Sequence, residues 1–153
     1  SAASDVYKRQ GAWSLVGDGA ATLCAVLLAA NCGAKVPFHR GWKQRISIMD
    51  SRRERWTAEN ELFTTTQEGI VEAMEGMGFT AQRRRIDGED HLLLIHGTSP
   101  DGVASFGVRN SGTQAKTSMS VRLSKGLDHE PFVALLNQVK SNLTEALTDL
   151  THP

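Results

Sequence analysis

The chain has 153 residues, room for one domain or for one domain and a piece of another, and it is long enough to bury a core. Its apolar share of 40% and charged share of 22% are those of an ordinary globular protein. The 17 basic residues balance the 17 acidic ones. This excludes an overall field that would draw the chain to nucleic acid or to an anionic membrane, and leaves only local patches.

In chain order, Ser1 to Gln10 come first and are set aside. Ser-Ala-Ala-Ser-Asp-Val-Tyr-Lys-Arg-Gln resembles the translation of a transposase adapter used in sequencing libraries, so these residues are treated like an expression tag. The native frame is then expected to begin near Gly11, in an assembled environmental read whose 5′ end is missing. From Asp18 the pattern is helical, with Gly17 or Asp18 as cap and a stop at Asn31-Cys32-Gly33. The run Ala20 to Ala30 is too short to cross a bilayer, and it is apolar nearly all round, so a buried helix within a larger body is expected. Cys24 and Cys32 lack metal-type spacing and a Cys-x-x-Cys partner, and read as buried, reduced thiols.

Ala34 to Asn60 carries seven Lys and Arg residues among Pro37, Gly41 and two tryptophans, with one short β-like run, Arg45 to Met49. It reads as a connector between domains, in which Arg52, Arg53 and Arg55 face solvent. A second unit follows. Thr65-Thr66-Gln67-Glu68 fits a capping box, and Ile70, Val71, Met74 and Met77 continue at helical spacing to Gly78. Four strands are predicted next, at Phe79 to Ile86, His91 to His96, Val103 to Arg109 and Thr117 to Ser124, separated by turn chemistry. In the last of these Thr117, Met119, Val121 and Leu123 alternate with Ser118, Ser120 and Arg122, which favours an antiparallel sheet with one wetter face. Asp128 is expected to cap a final helix whose stripe Phe132, Leu135, Leu136, Val139, Leu143, Leu147 and Leu150 covers the sheet. The predicted class is α+β: a four-stranded antiparallel sheet with two main helices, preceded by a helical remnant of an α/β domain.

The segment between the last two strands, Arg109-Asn110-Ser111-Gly112-Thr113-Gln114-Ala115-Lys116, collects what an oxyanion needs. Arg109 supplies a planar fork of donors, Ser111 and Thr113 supply hydroxyls, and Lys116 supplies a point charge. Gly112 permits a turn in which successive N–H groups converge on one anion, and such a set suits a dianionic phosphate. A strand-to-strand turn calls for Gly, Ser, Thr and Asn in any case, so the composition alone leaves both readings open.

Arg-x-Ser-Gly-Thr followed by a lysine, preceded by Asp101-Gly102 and a strand, resembles the C-terminal domain of the α-D-phosphohexomutases. That family includes phosphoglucomutases, phosphomannomutases and phosphoglucosamine mutases. The likeness covers roughly Glu61 to Leu150, and a weaker one places Gly11 to Leu28 after the sugar-recognition loop of the third mutase domain. The resemblance implies a TATA-box-binding-protein-like C-terminal domain over 61–153, with 11–60 as the end of the preceding domain and a linker. It also implies a reaction in which an upstream phosphoserine transfers its phosphoryl group to a hexose phosphate beside Mg²⁺, through a bisphosphate sugar. In that scheme Arg109, Asn110, Ser111, Gly112, Thr113 and Lys116 hold the substrate phosphate that is not reacting. The catalytic and metal-binding groups lie upstream, so the fragment alone is expected to be inactive and to bind no cofactor. Gln114-Ala115 stands where the family often has Glu-Pro, which puts the subfamily and its sugar in doubt.

The resemblance further implies a cytoplasmic enzyme whose partners are a hexose phosphate and its own upstream mutase domains, with no nucleic acid and no membrane. The domain is expected to close over substrate by moving about Met49 to Asn60. The competing reading is a non-catalytic α+β binding module, for nucleic acid through Arg83-Arg84-Arg85 or for a protein partner. His91 and His96 fall on one short strand pointing to opposite faces, His39, His129 and His152 are isolated, and Asp87, Glu89 and Asp90 read as a solvated turn.

Overall fold

The computed structural model describes residues 6–9, 12–15, 19–32, 41–58 and 60–148. Gly17, Asp18, Gly33, His39, Leu150 and His152, named above as caps, a stripe residue or isolated histidines, lie outside the described residues. The chain divides into two compact units, Ser1–Phe38 and His39–Pro153.

In the first unit, β1 (Val6–Arg9) pairs antiparallel with β2 (Ala12–Leu15), and α1 spans Gly19–Asn31. Leu23, Leu27 and Leu28 of α1 are all more than half exposed, at 58%, 59% and 66%, so the larger body expected to bury this helix is not among the described residues. Cys24 and Cys32 are exposed free thiols rather than buried ones. A helix apolar nearly all round needs partners all round it, and among the described residues these side chains stay exposed.

The second unit is α+β. Its sheet has five strands, β3 (Trp42–Met49), β4 (Thr80–Arg83), β5 (Leu92–Ser99), β6 (Gly102–Asn110) and β7 (Lys116–Leu123). They lie in the order β3-β7-β6-β5-β4, with every neighbouring pair antiparallel. The expected four strands are therefore joined by a fifth, drawn from the stretch assigned to a connector. β3 matches its core-side positions Trp42, Gln44, Ile46 and Ile48 to Leu123, Val121, Met119 and Thr117 of β7, so that both strands turn apolar residues to one side.

That side is covered by α2 (Glu61–Gly76) over β4 and β5 and by α3 (Glu130–Leu147) over β3 and β7. Phe63, Ile70 and Met74 from α2 meet Leu93, Ile95 and Phe106 from the sheet, and α3 adds Phe132, Leu136, Leu143 and Leu147. The α3 stripe is thus placed as expected, and Asp128 Oδ1 accepts from Glu130 N at 3.0 Å at the start of the helix. Gly97 permits close approach of α2, because a Cβ there would lie 2.6 Å from Met74 Cε. α2 begins earlier than the Thr65 box implied. Asn60 accepts from Phe63 N at 2.8 Å and so caps the helix one turn upstream, where it satisfies an orphan donor.

The segment joining β3 to α2 is bound into this body rather than free to hinge. Trp56 is fully buried against Phe63, with ring centroids 4.9 Å apart, and its Nε1 donates to His91 O at 2.9 Å. Arg52 N donates to Leu147 O at 2.8 Å, Arg55 Nη1 donates to Ala146 O at 3.2 Å, and Ser51 is buried. Any motion within Met49 to Asn60 would have to open the core at Trp56. Among the described residues, no helix is long and apolar enough to cross a membrane.

Candidate anion site

The site grows from the alternation of β6 and β7. Their register sets Arg109 against Ser118 and Asn110 against Thr117, and successive side chains point to opposite faces. Val108 is buried, so Arg109 faces outward, away from the helices, and it is exposed. Lys116 lies on the same outward row of β7, two residues from Ser118, which puts it diagonally across from Arg109 at roughly 7–8 Å by ladder spacing. The turn between them is closed by Ser111 N donating to Lys116 O and by Lys116 N donating to Gln114 O, each at 2.8 Å. Gly112, Thr113, Gln114 and Ala115 are exposed at its tip.

Asn110 departs from the role expected of it. Its side chain turns to the helix-covered side, where Nδ2 donates to Arg53 O at 3.0 Å and Trp56 O at 3.2 Å, and Oδ1 accepts from Thr117 Oγ1 at 2.9 Å. Ser51 Oγ extends the chain to Thr117 Oγ1 at 2.9 Å. Both amide hydrogens and the carbonyl are thus occupied, and Asn110 is a latch between the sheet end and the turn at Arg53–Arg55, not an anion ligand. Gly112 also differs. Its φ is not in the left-handed region and an added Cβ would meet nothing within 4 Å, so the alternating backbone of an amide nest is not formed there. The Ser111 amide is spent on closing the turn, and Thr113 N lies 3.5 Å from Ser111 Oγ. The groups left to meet an anion are therefore mainly side chains.

The latch brings in a residue that the sequence reading assigned to solvent. Arg53 Nη1 donates to Gly112 O at 3.3 Å, which places a second guanidinium beside the loop. Its carbonyl is held by Asn110, so the position of Arg53 depends on the loop and the loop's position on Arg53. The signal was present as a basic run with a tryptophan, but the contact spans 59 residues and no local pattern reports it.

Outward of the sheet, Arg109 also borders a shallow groove of about 370 Å³ whose lining includes Arg45, Arg84 and Arg122. A larger groove of about 470 Å³ lies between α2 and α3, lined by Leu62, Ile70, Leu135 and Val139. It is mostly apolar and on the other side of the sheet from Arg109, so it has no part in binding an anion there. Arg83, Arg84 and Arg85 do not form one stripe. Arg83 turns to the core side, its guanidinium 4.6 Å from the centre of the Phe63 ring and its Nη1 donating to Gln67 Oε1 at 3.3 Å, whereas Arg84 faces the groove. His96 lines that groove too, while His91 precedes β5. Among the described residues, no three His, Cys, Asp or Glu side chains come close enough to hold a metal ion. No protein-family model matches the chain, and neither a curated protein nor a solved structure matches it.

Proposed function

We propose that the loop from Arg109 to Lys116, together with Arg53, holds the phosphate group of a phosphorylated sugar, as the C-terminal domain does in α-D-phosphohexomutases. The observation that carries this reading is that Arg109 and Lys116 stand on one outward row of the β6–β7 hairpin, whose turn carries Ser111 and Thr113 and accepts a hydrogen bond from Arg53 Nη1 at Gly112 O. Guanidinium forks and an ammonium match the oxygens of a phosphate dianion, and bonds to charged groups are about twice as strong as neutral ones. The Arg-x-Ser-Gly-Thr motif and its following lysine carry the resemblance, and in this reading Arg53 is included because it bonds to the loop and Asn110 is left out because its amide is already bonded within the chain.

In the intact enzyme the phosphate held here is the one that does not react. Binding energy collected at a remote group can then position the sugar for phosphoryl transfer elsewhere. The exposed apolar surface of α1 is in keeping with a chain that belongs to a larger multidomain protein. The phosphoserine and the Mg²⁺-binding aspartates of such an enzyme belong to its upstream domains.

A titration of the full chain with glucose 1-phosphate, followed by NMR, tests the reading. Arg109→Gln is expected to weaken binding about 10- to 150-fold, since losing a charge-assisted pair costs roughly 1.5–3 kcal/mol. Arg53→Gln is expected to weaken it less, because only one of its donors is fixed near the loop. Unchanged affinity in Arg109→Gln counts against the assignment.

A further inference from the structure

The outward face of the sheet carries more cations than the loop uses. Lys43 and Arg45 on β3, Lys116 and Arg122 on β7, Arg109 on β6 and Arg84 after β4 all fall on it by register. None of the outward strand positions holds Asp or Glu: β3 adds Ser47 and Met49, β7 adds Ser118 and Ser120, β6 adds Val103, Ser105 and Gly107. β5 contributes Leu92, Leu94, His96 and Thr98, and β4 contributes Thr80 and Gln82. In a chain of zero formal charge, a sheet face with cations and no carboxylate is a concentrated field, and like charges brought together this way cost stability unless something anionic meets them.

The arrangement is also shaped. One cross-strand row runs Arg45, Ser120, Gly107, Leu94, Arg84, so two arginines stand at its ends with Ser120, Gly107 and the apolar Leu94 between them. Four strand spacings separate those ends, about 19 Å between backbones. Arg122 lies in the next row, beside Ser105 and His96. The floor is low because Ser105, Gly107, Ser118 and Ser120 are small, and the rim is high because arginine is long. The volume of about 370 Å³ suits a small molecule. Among the described residues, Arg45, Arg84 and Arg122 take part in no ion pair.

We infer that this face is a second anion site, which adjoins the loop at Arg109 and is centred on Arg45, Arg84 and Arg122, and which takes a compact ligand bearing two or more phosphoryl groups. Separated guanidinium groups around a hydroxyl-lined floor match separated anionic groups on one small scaffold, whereas a single phosphate would reach only one or two of them. The face offers no Phe, Tyr or Trp on which a base could stack, which argues against single-stranded nucleic acid. Gly107 keeps the floor open without being required by the backbone: an added Cβ would come no closer than 3.5 Å to Ser120 Oγ, an ordinary contact.

Inorganic tripolyphosphate is the probe, titrated calorimetrically into the full chain, with glucose 1-phosphate followed by NMR in parallel. The double variant Arg45→Gln/Arg122→Gln should lose about tenfold or more in tripolyphosphate affinity, while its glucose 1-phosphate affinity stays within about twofold. Gly107→Val, which keeps every charge and suits a strand, should weaken tripolyphosphate comparably by filling the floor. Ser111→Ala/Thr113→Val should do the reverse, affecting glucose 1-phosphate alone. Unchanged melting temperatures establish that the variants are folded. The inference is overturned if the double variant binds tripolyphosphate normally, if the loop variant weakens it as much as the face variants do, or if duplex DNA binds this face more tightly than tripolyphosphate does. Failure of the loop variant alone would strike the loop reading and leave this one standing.

Discussion

The two faces of the five-stranded sheet are built from the same strands and differ in almost every other respect. On one, Phe106, Val108, Met119 and Val121 are fully buried beneath two helices; on the other, Arg45, Arg109 and Arg122 stand exposed around serines and a glycine. The alternation of each strand makes this division unavoidable, because a one-residue shift in register would exchange the two sets. What the contrast teaches is that the same segment can be essential to folding at one residue and free for binding at the next. Arg109 and Asn110 show it most sharply, the first turned to solvent and the second locked to Arg53, Trp56 and Thr117.

The largest expected difference is in stability. Phe106→Ala removes a ring from the centre of the core and is expected to cost about 3–5 kcal/mol in urea unfolding, enough to unfold much of a marginal domain. A loss below about 1 kcal/mol would mean that the face is less tightly covered than its burial indicates. Asn110→Ala comes next. It leaves the Arg53 and Trp56 carbonyls without their donor, at a cost of about 1–3 kcal/mol, and should change the fluorescence of buried Trp56 along with the phosphate affinity of the loop. Retention of both properties would show that the latch does not position the loop. The smallest effect belongs to the outward face, where Ser105→Ala should alter stability by no more than about 0.5 kcal/mol. A larger loss there would mean that this face supports the fold itself.

Much of the second unit could be read from local pattern. The α3 stripe at helical spacing and the strict alternation of β7 each encode one buried side, and both elements fall where that logic puts them. β3 was only half legible. Its Gln44 occupies a core-side position and dilutes the apolar alternation, and its partner β7 lies some seventy residues away, a pairing that no local rule supplies. β4 is shorter than the run Phe79 to Ile86: Arg83, at a core-side position over the Phe63 ring, is its last residue, and Arg84 N adds one further bond to Leu94 O. The cysteines on α1 were assigned to a core that the described residues do not provide.

At the site, residue types spoke for phosphate but could not say which groups were already spent. Asn110 has the chemistry of a ligand and is consumed by the latch; Arg53 has the chemistry of a solvated surface residue and is drawn to the loop. Both corrections come from contacts between the turn at Arg53–Arg55 and the end of the β6–β7 hairpin, which the sequence separates by more than fifty residues.

The most direct measurement is a map of backbone amide shifts on adding glucose 1-phosphate to the full chain. If the loop holds the phosphate, the largest shifts fall between Arg109 and Lys116 and at Arg53, with the helix-covered face nearly silent. Shifts spread evenly over the chain, or centred on the groove between α2 and α3, would contradict it.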